Sequence, residues 1–86
     1  MRTHRQTRIR RAILTALSAV PAGYLLPDDL LRIEAARYLQ PRPTTAELDA
    51  EIGAADTERL VVGIPGEEVI KWKLSDAGRA WLAENA

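Results

Sequence analysis

Residues 59–82 read RLVVGIPGEEVIKWKLSDAGRAWL, the segment with the strongest strand and turn signals in the chain. Apolar residues alternate with other residues on both sides of the Pro65-Gly66-Glu67 segment. Alternation of this kind around a Pro-Gly turn predicts a β-hairpin. Because successive side chains of a strand point to opposite faces, Trp72 is expected to face a core while Lys71 and Lys73 face solvent.

A helix is predicted directly after the hairpin, from about Asp76 to Glu84. Ser75 precedes this helix, and a serine hydroxyl commonly caps the first free backbone N–H groups. Ala77, Trp81 and Leu82 are predicted to pack back onto the hairpin.

Two helices are predicted at the start of the chain, from about Thr3 to Ala19 and from about Pro27 to Leu39. The short segment Tyr24–Leu26 between them is long enough for a single β-bridge. Apolar residues spaced three and four apart indicate a buried stripe on each helix. The stripe of the first helix comprises Ile9, Ala12, Ile13, Ala16, Leu17 and Val20. That of the second comprises Leu30, Leu31, Ala35, Tyr38 and Leu39, with Glu34 at its edge.

A third helix is predicted from about Thr45 to Glu58, after a loop that Pro41 and Pro43 keep out of helical conformation. Thr44 and Glu47 have the spacing of a capping box. Leu48, Ile52 and Ala55 are expected to face inward. Gly53 is interpreted either as permitting the close approach of a neighbouring helix or as marking where the helix loosens.

The first 23 residues also resemble a secretory signal, with a basic start, an apolar stretch and small residues. The amphipathic pattern favours a helix of the fold instead, because cleavage near Ala22 would remove core residues from a small chain. No apolar run is long enough to span a membrane. The expected location is the cytoplasm.

The composition indicates one folded domain over residues 1–86, since hydrophobic residues make up 47% of the chain and charged residues 28%. There is no cysteine, and His4 is the only histidine. A disulfide, a zinc site and a His-based catalytic pair therefore lack their residues. We expect no enzymatic activity, no metal and no cofactor.

The charge of the chain is unevenly distributed. Residues 1–43 hold eight basic and three acidic residues, and residues 44–86 hold four basic and nine acidic ones, so the halves carry +5 and −5. Such asymmetry indicates either an anionic partner for the first half or a dipolar surface through which copies of the chain attract each other.

The order of predicted elements is helix, short strand, helix, helix, strand, strand, helix. Leu60-Val61 after the third helix, and the Leu74-Ser75-Asp76-Ala77-Gly78 step after the hairpin, resemble bacterial winged-helix regulators of the broad type that includes the MarR and PadR families. The resemblance covers the C-terminal third of the chain, and the rest only in element order. It implies an α+β fold, a small winged helix with a three-helix core, a short bridging strand, a C-terminal hairpin wing and a final short helix.

In DNA-binding members of this superfamily the third helix enters the major groove and the hairpin tip touches the DNA. The resemblance thus implies that residues 45–58 recognise DNA and that residues 65–68 form the wing tip. The leading interpretation is a small DNA-binding regulator that acts as a dimer on double-stranded DNA. The candidate nucleic-acid-binding residues are Arg5, Arg8, Arg11, Arg42, Thr45, Lys71 and Lys73.

The alternative is a winged helix that binds protein instead of DNA. The third helix contains five acidic residues and no basic one, and Glu67 and Glu68 lie at the hairpin tip. These charges would repel DNA phosphates, but they suit a basic protein partner or the first helix of another copy. In this view the N-terminal arginines, including Arg10, form a solvated helix face, and Lys71 and Lys73 protect a strand edge. The four aromatic residues, Tyr24, Tyr38, Trp72 and Trp81, are assigned to the core instead of to base stacking.

Overall fold

A computed structural model describes residues 2–85 as four helices and one three-stranded antiparallel sheet. The helices are α1 (His4–Ser18), α2 (Asp28–Arg37), α3 (Thr45–Thr57) and α4 (Asp76–Glu84), and the strands are β1 (Leu26–Pro27), β2 (Val61–Ile64) and β3 (Lys71–Leu74). The predicted α+β class, element order and hairpin are confirmed. None of the helices described over residues 2–85 is both long and apolar enough to cross a membrane.

The sheet has the order β1-β3-β2, so the last strand lies in the middle. Trp72 pairs with Leu26 on one side and Gly63 on the other, and its side chain is buried as predicted. Lys71 and Lys73 lie on the opposite, solvent-exposed face. A Cβ atom at Gly63 would lie 2.7 Å from the Trp72 indole. Glycine is therefore what allows the ring to lie across β2.

The end of α3 holds the hairpin and α4 in place. Arg59 has a left-handed backbone with φ of 60°, and the next N–H, of Leu60, donates to the Ala55 carbonyl at 2.9 Å. This hydrogen bond closes the C-terminal end of α3. β2 begins at the next residue, Val61. The Ser75 hydroxyl donates to the Arg59 carbonyl at 2.6 Å and accepts from the Gly78 N–H at 3.0 Å, which confirms Ser75 as a cap. The hairpin and α4 are thus bonded to the helix that precedes them.

The core forms around α1, which packs against α2, α3, α4 and β3. Leu48, Ile52 and Ala55 face inward from α3, as predicted. The core is largely aliphatic. Its buried hydrophobic residues are Ile9, Ile13, Leu14, Leu17, Leu31, Ala35, Leu39, Leu48, Ile52, Ala55, Leu60, Val61, Trp72 and Leu74.

The assignment of all four aromatic residues to the core is wrong for both tyrosines. Tyr24 is 70% exposed and Tyr38 is 75% exposed, whereas Trp72 is buried and Trp81 packs against the core from its edge. Leu30 is also exposed. The physical reason is that α2 ends at Arg37, so Tyr38 follows the helix instead of lying on the face that buries Leu31 and Ala35, and Tyr24 lies in the loop before β1.

Two smaller predictions about helix faces are also wrong. A Cβ atom at Gly53 would meet nothing within 4 Å, so no neighbouring helix approaches there. Ala77 is exposed, since the first turn of α4 turns Gly78 inward instead. A side chain at Gly78 would collide with the Leu60 carbonyl oxygen.

Candidate interaction surfaces

Three N-terminal arginines bind acidic side chains of α3, and we call these contacts the α1–α3 ion network. Arg5 donates to both carboxylate oxygens of Glu47, at 3.0 and 3.2 Å. Arg2 bonds to Glu51. Arg10 donates to Glu58 Oε1 at 3.0 Å, and its Nε lies 3.7 Å from Glu51. The positive charge of the first half of the chain is therefore partly neutralised within the same molecule.

Arg10 is buried, with only 2% of its surface exposed. Its guanidinium carbon lies 5.8 Å from the centre of the Trp81 ring, a distance typical of a cation–π contact. The Nε atom has no hydrogen-bond partner among residues 2–85. The prediction that Arg10 belongs to a solvated face is wrong. The long side chain covers the core and carries its charge to Glu51 and Glu58.

The network changes the acidity of its carboxylates. Hydrogen bonds from Arg5, and then from the backbone of Thr44, lower the pKa of Glu47 to about 2. The hydrogen bond from Arg10 lowers the pKa of Glu58 below its ordinary value. The Thr44 hydroxyl accepts from the Glu47 N–H at 3.1 Å, and Glu47 accepts from the Thr44 N–H at 3.0 Å. The predicted capping box is confirmed, and its glutamate also binds α1.

A second polar cluster connects the sheet to α2 and α3. Trp72 Nε1 donates to Asp28 Oδ1 at 2.9 Å, and Arg32 Nε donates to Asp28 Oδ2 at 2.9 Å. Arg32 also pairs with Asp49 of α3 at 2.6 Å. The spacing of Asp28 and Arg32 is a sequence signal for their pairing. The contact with Trp72 joins residues 44 positions apart, and no local pattern indicates it.

These contacts determine what α3 presents to solvent. Glu47, Glu51 and Glu58 pair with N-terminal arginines, and Asp49 pairs with Arg32. The exposed residues of α3 are Thr45, Ala46, Asp49, Ala50, Gly53, Asp56 and Thr57. Base edges in the major groove are read mainly by Arg, Lys, Asn and Gln side chains. None of these four residue types occurs in residues 43–58.

The candidate nucleic-acid-binding residues lie on three separate parts of the surface. Arg5 is held by Glu47 and by the Pro41 carbonyl, at 2.9 Å for the latter, so it is not free to bind a phosphate. Arg8 and Arg11 lie on α1, Arg42 and Thr45 lie at the start of α3, and Lys71 and Lys73 lie on the outer face of the sheet. Arg8 and Arg11 line one concave site together.

That site, which we call the α1–α2 groove, lies between α1 and the end of α2. Its lining residues are Arg8, Arg11, Ala12, Thr15, Tyr38 and Leu39. Leu39 is buried, and the exposed side chain of Tyr38 lines one side of the groove. Among residues 2–85, no carboxylate lies within 4.0 Å of Arg8 or Arg11.

The volume of the α1–α2 groove is about 250 Å³. Pockets for small-molecule ligands typically have about 300–1,000 Å³. The groove combines an apolar floor with two guanidinium groups at its rim. It suits an apolar side chain flanked by carboxylates better than it suits a cofactor.

The hairpin loop, residues 65–70, forms the acidic tip of the molecule. Glu67 and Glu68 are exposed and share a shallow depression with Val69 and Lys71, and Ile70, two residues after Glu68, is 44% exposed. Within the described part of the chain neither glutamate has a basic side chain within 4.0 Å. A wing that binds phosphate needs positive charge at this position. The tip instead presents two carboxylates next to apolar side chains.

Comparisons of the chain with models of protein families, with curated proteins and with solved structures gave no significant match.

Sequence reasoning missed the α1–α2 groove. Part of the signal was present, because Arg8, Arg11 and Thr15 are three and four residues apart and share one helix face. Helical periodicity assigns Tyr38 to the core, whereas in the structure α2 ends at Arg37 and Tyr38 lines the groove beside α1.

Proposed function

We propose that this chain is a winged-helix module that acts by binding protein. The element order α1-β1-α2-α3-β2-β3-α4, with sheet order β1-β3-β2, supports a winged helix. The resemblance of residues 60–61 and 74–78 to winged-helix regulators supports it as well. Fold alone does not imply function, so the mode of binding is argued from the surface.

The observation that carries the proposal is the distribution of free charge. In a DNA-reading winged helix, α3 and the hairpin tip would present basic or amide side chains. Here the exposed part of α3 carries Asp56 and the Asp49 that pairs with Arg32, and the tip carries Glu67 and Glu68. The free arginines Arg8 and Arg11 lie instead beside apolar groups in the α1–α2 groove. Free charge next to exposed apolar side chains is suited to a protein partner.

DNA binding, with the protein acting as a dimer, is the second candidate function, and one observation favours it. Glu47 and Glu51 of α3 and its C-cap residue Glu58 are paired with N-terminal arginines, so α3 repels phosphates less than its sequence indicates. Exposed Arg42 and Thr45 at the start of α3 would then contact the DNA. Lys71 and Lys73 would supply further phosphate contacts from the sheet.

The two functions are separated by titrating labelled mixed-sequence duplex DNA with the protein and measuring fluorescence anisotropy. We expect no binding at about 50 mM salt, where phosphate contacts are strong. Lys71→Glu/Lys73→Glu is the matched variant. Binding by the wild type that weakens steeply towards about 200 mM salt and is lost in this variant would replace protein binding with DNA binding as the function.

A further inference from the structure

We propose that the α1–α2 groove of one copy of this chain binds the acidic tip of a second copy. This inference rests on the proposed protein-binding function and names its partner. The contact joins Arg8 and Arg11 of one molecule to Glu67 and Glu68 of the other. The exposed side chain of Ile70, two residues after Glu68, would lie against the groove floor.

The two surfaces match in chemistry. Arg8 and Arg11 are three residues apart on α1, so their guanidinium groups are neighbours on one helix face. Glu67 and Glu68 are adjacent in an exposed loop. Each surface also combines its charges with apolar groups, Leu39 and Ala12 in the groove and Ile70 at the tip. A paired carboxylate segment with an apolar neighbour is therefore the occupant that the groove fits.

Neither surface forms an ion pair with another part of residues 2–85 of its own molecule. Over residues 2–85, Arg8 and Arg11 have no carboxylate within 4.0 Å, and Glu67 and Glu68 have no basic group within 4.0 Å. The other acidic residues outside the ion pairs of this part of the chain are Asp29, Asp56, Asp76 and Glu84. No two of these four are adjacent in sequence. The tip is thus the acidic segment of this chain that matches two neighbouring arginines.

The symmetry of the contact follows from its two different surfaces. Each copy has one groove and one tip, so two copies that exchange tips close into a two-fold dimer, and other arrangements propagate into open chains. The ion pairs lie at the surface and are screened by salt. We therefore expect weak association that increases with protein concentration and decreases with added salt.

Charge reversal tests the contact. Sedimentation equilibrium at low salt, up to about 1 mM protein, should show an average mass above that of the monomer. Arg8→Glu/Arg11→Glu and Glu67→Lys/Glu68→Lys should each be monomeric, because groove and tip then carry the same charge. An equimolar mixture of the two variants should associate again, since each groove faces a tip of opposite charge.

Arg59→Glu/Arg79→Glu is the matched control, because it changes the net charge by the same amount as the groove variant at exposed residues outside both surfaces. It should associate as the wild type does. Circular dichroism and urea unfolding verify that every variant is folded. A monomeric wild type, unchanged association in either reversed variant, or a mixture that stays monomeric would each overturn the contact.

The outcomes distinguish this inference from the proposed function. A monomeric wild type that also fails to bind DNA removes the contact between copies but leaves binding to other proteins in place. Salt-dependent binding to duplex DNA that is lost in Lys71→Glu/Lys73→Glu removes the proposed function itself.

Discussion

The arginines near the N-terminus form two groups that differ in surroundings but not in chemistry. Arg2, Arg5 and Arg10 bind acidic residues of α3, whereas Arg8 and Arg11 line the α1–α2 groove without an acidic partner in residues 2–85. The difference arises because successive helix positions are rotated by about 100°, so neighbours in sequence face different elements. Charge counted along a chain therefore does not measure the charge available to a partner.

The largest effect is expected when the buried side chain of Arg10 is removed. Arg10→Ala should lower the free energy of unfolding by about 3 kcal/mol, because the substitution empties the space of a buried side chain and leaves buried Glu51 with Arg2 but without Arg10. Arg8→Ala on the other group should change it by no more than about 0.5 kcal/mol. Urea unfolding followed by tryptophan fluorescence measures both. Equal losses would mean that the two groups do not differ in structural role.

A double variant at Arg10 and Glu51 distinguishes the contribution of side-chain packing to stability from that of the two charges. Arg10→Met/Glu51→Gln keeps the side-chain volume and removes both charges, so it should recover much of the loss seen in Arg10→Ala. If the double variant is no more stable than Arg10→Ala, the ion pair between Arg10 and Glu51 itself stabilises the fold. The loss in Arg10→Ala would then not come from a buried carboxylate that lacks one of its partners.

Glu47 belongs both to the capping box of α3 and to the α1–α3 ion network. Removing the cap therefore shows how much of the stability of this region comes from the cap instead of from the ion pair with Arg5. Thr44→Ala should cost about 1 kcal/mol in unfolding free energy through loss of the cap. Thr45→Ala, one residue further and without a capping bond, should be close to neutral. Urea unfolding of the pair gives the difference. A Thr44→Ala variant as stable as Thr45→Ala would contradict the role of the cap.

The ion network should also make stability depend on pH. The pKa of Glu47 is about 2 in the folded state against an ordinary value of 4.5, so the unfolded chain takes up the proton first as the pH falls. The stabilisation is present above about pH 4.5 and is lost as the pH falls towards about 2.

Urea unfolding over this pH range should show the decline, and Glu47→Gln should make it shallower. Glu67→Gln, at the unpaired tip, is the matched control and should leave the slope unchanged. An identical slope in Glu47→Gln and wild type would exclude the contribution of this carboxylate.

The smallest expected effect concerns salt. Arg5→Gln removes a partly exposed ion pair, and the resulting drop in the urea midpoint should shrink towards zero at about 1 M salt, where charges are screened within about 3 Å. The drop caused by Arg10→Ala should persist, because that guanidinium is buried. If salt reduced both losses of stability equally, burial would not protect the contacts of Arg10 from screening.

The sequence predicts most of the fold because its strongest signals are local. The alternation in residues 60–74, the Pro65-Gly66 turn and the caps Thr44 and Ser75 depend on neighbours a few residues away. Trp72 could be placed in the core from strand alternation alone. Helical periodicity was less reliable for Tyr38, because periodicity does not show where a helix stops contacting the core.

The candidate surfaces were less predictable, because a charge has no intrinsic partner in the sequence. The paired glutamates of the tip were visible in the sequence, but the free arginines that complement them could not be told apart from Arg10. Which arginine is free depends on contacts between residues about 40 to 50 positions apart, such as Arg5 with Glu47 and Arg10 with Glu58.

By itself, then, the sequence of this protein determined the order of its helices and strands, the hairpin with its buried Trp72, and the acidic character of its tip. These follow from backbone geometry and from short-range hydrogen bonds. Three features depend on the tertiary structure: α1 neutralises acidic residues of α3, Asp28 joins Trp72 to Arg32, and Arg8 and Arg11 lie beside Tyr38 without an ion pair among residues 2–85. The physical reason is that electrostatic contacts form between groups that folding brings together, however far apart they lie along the chain.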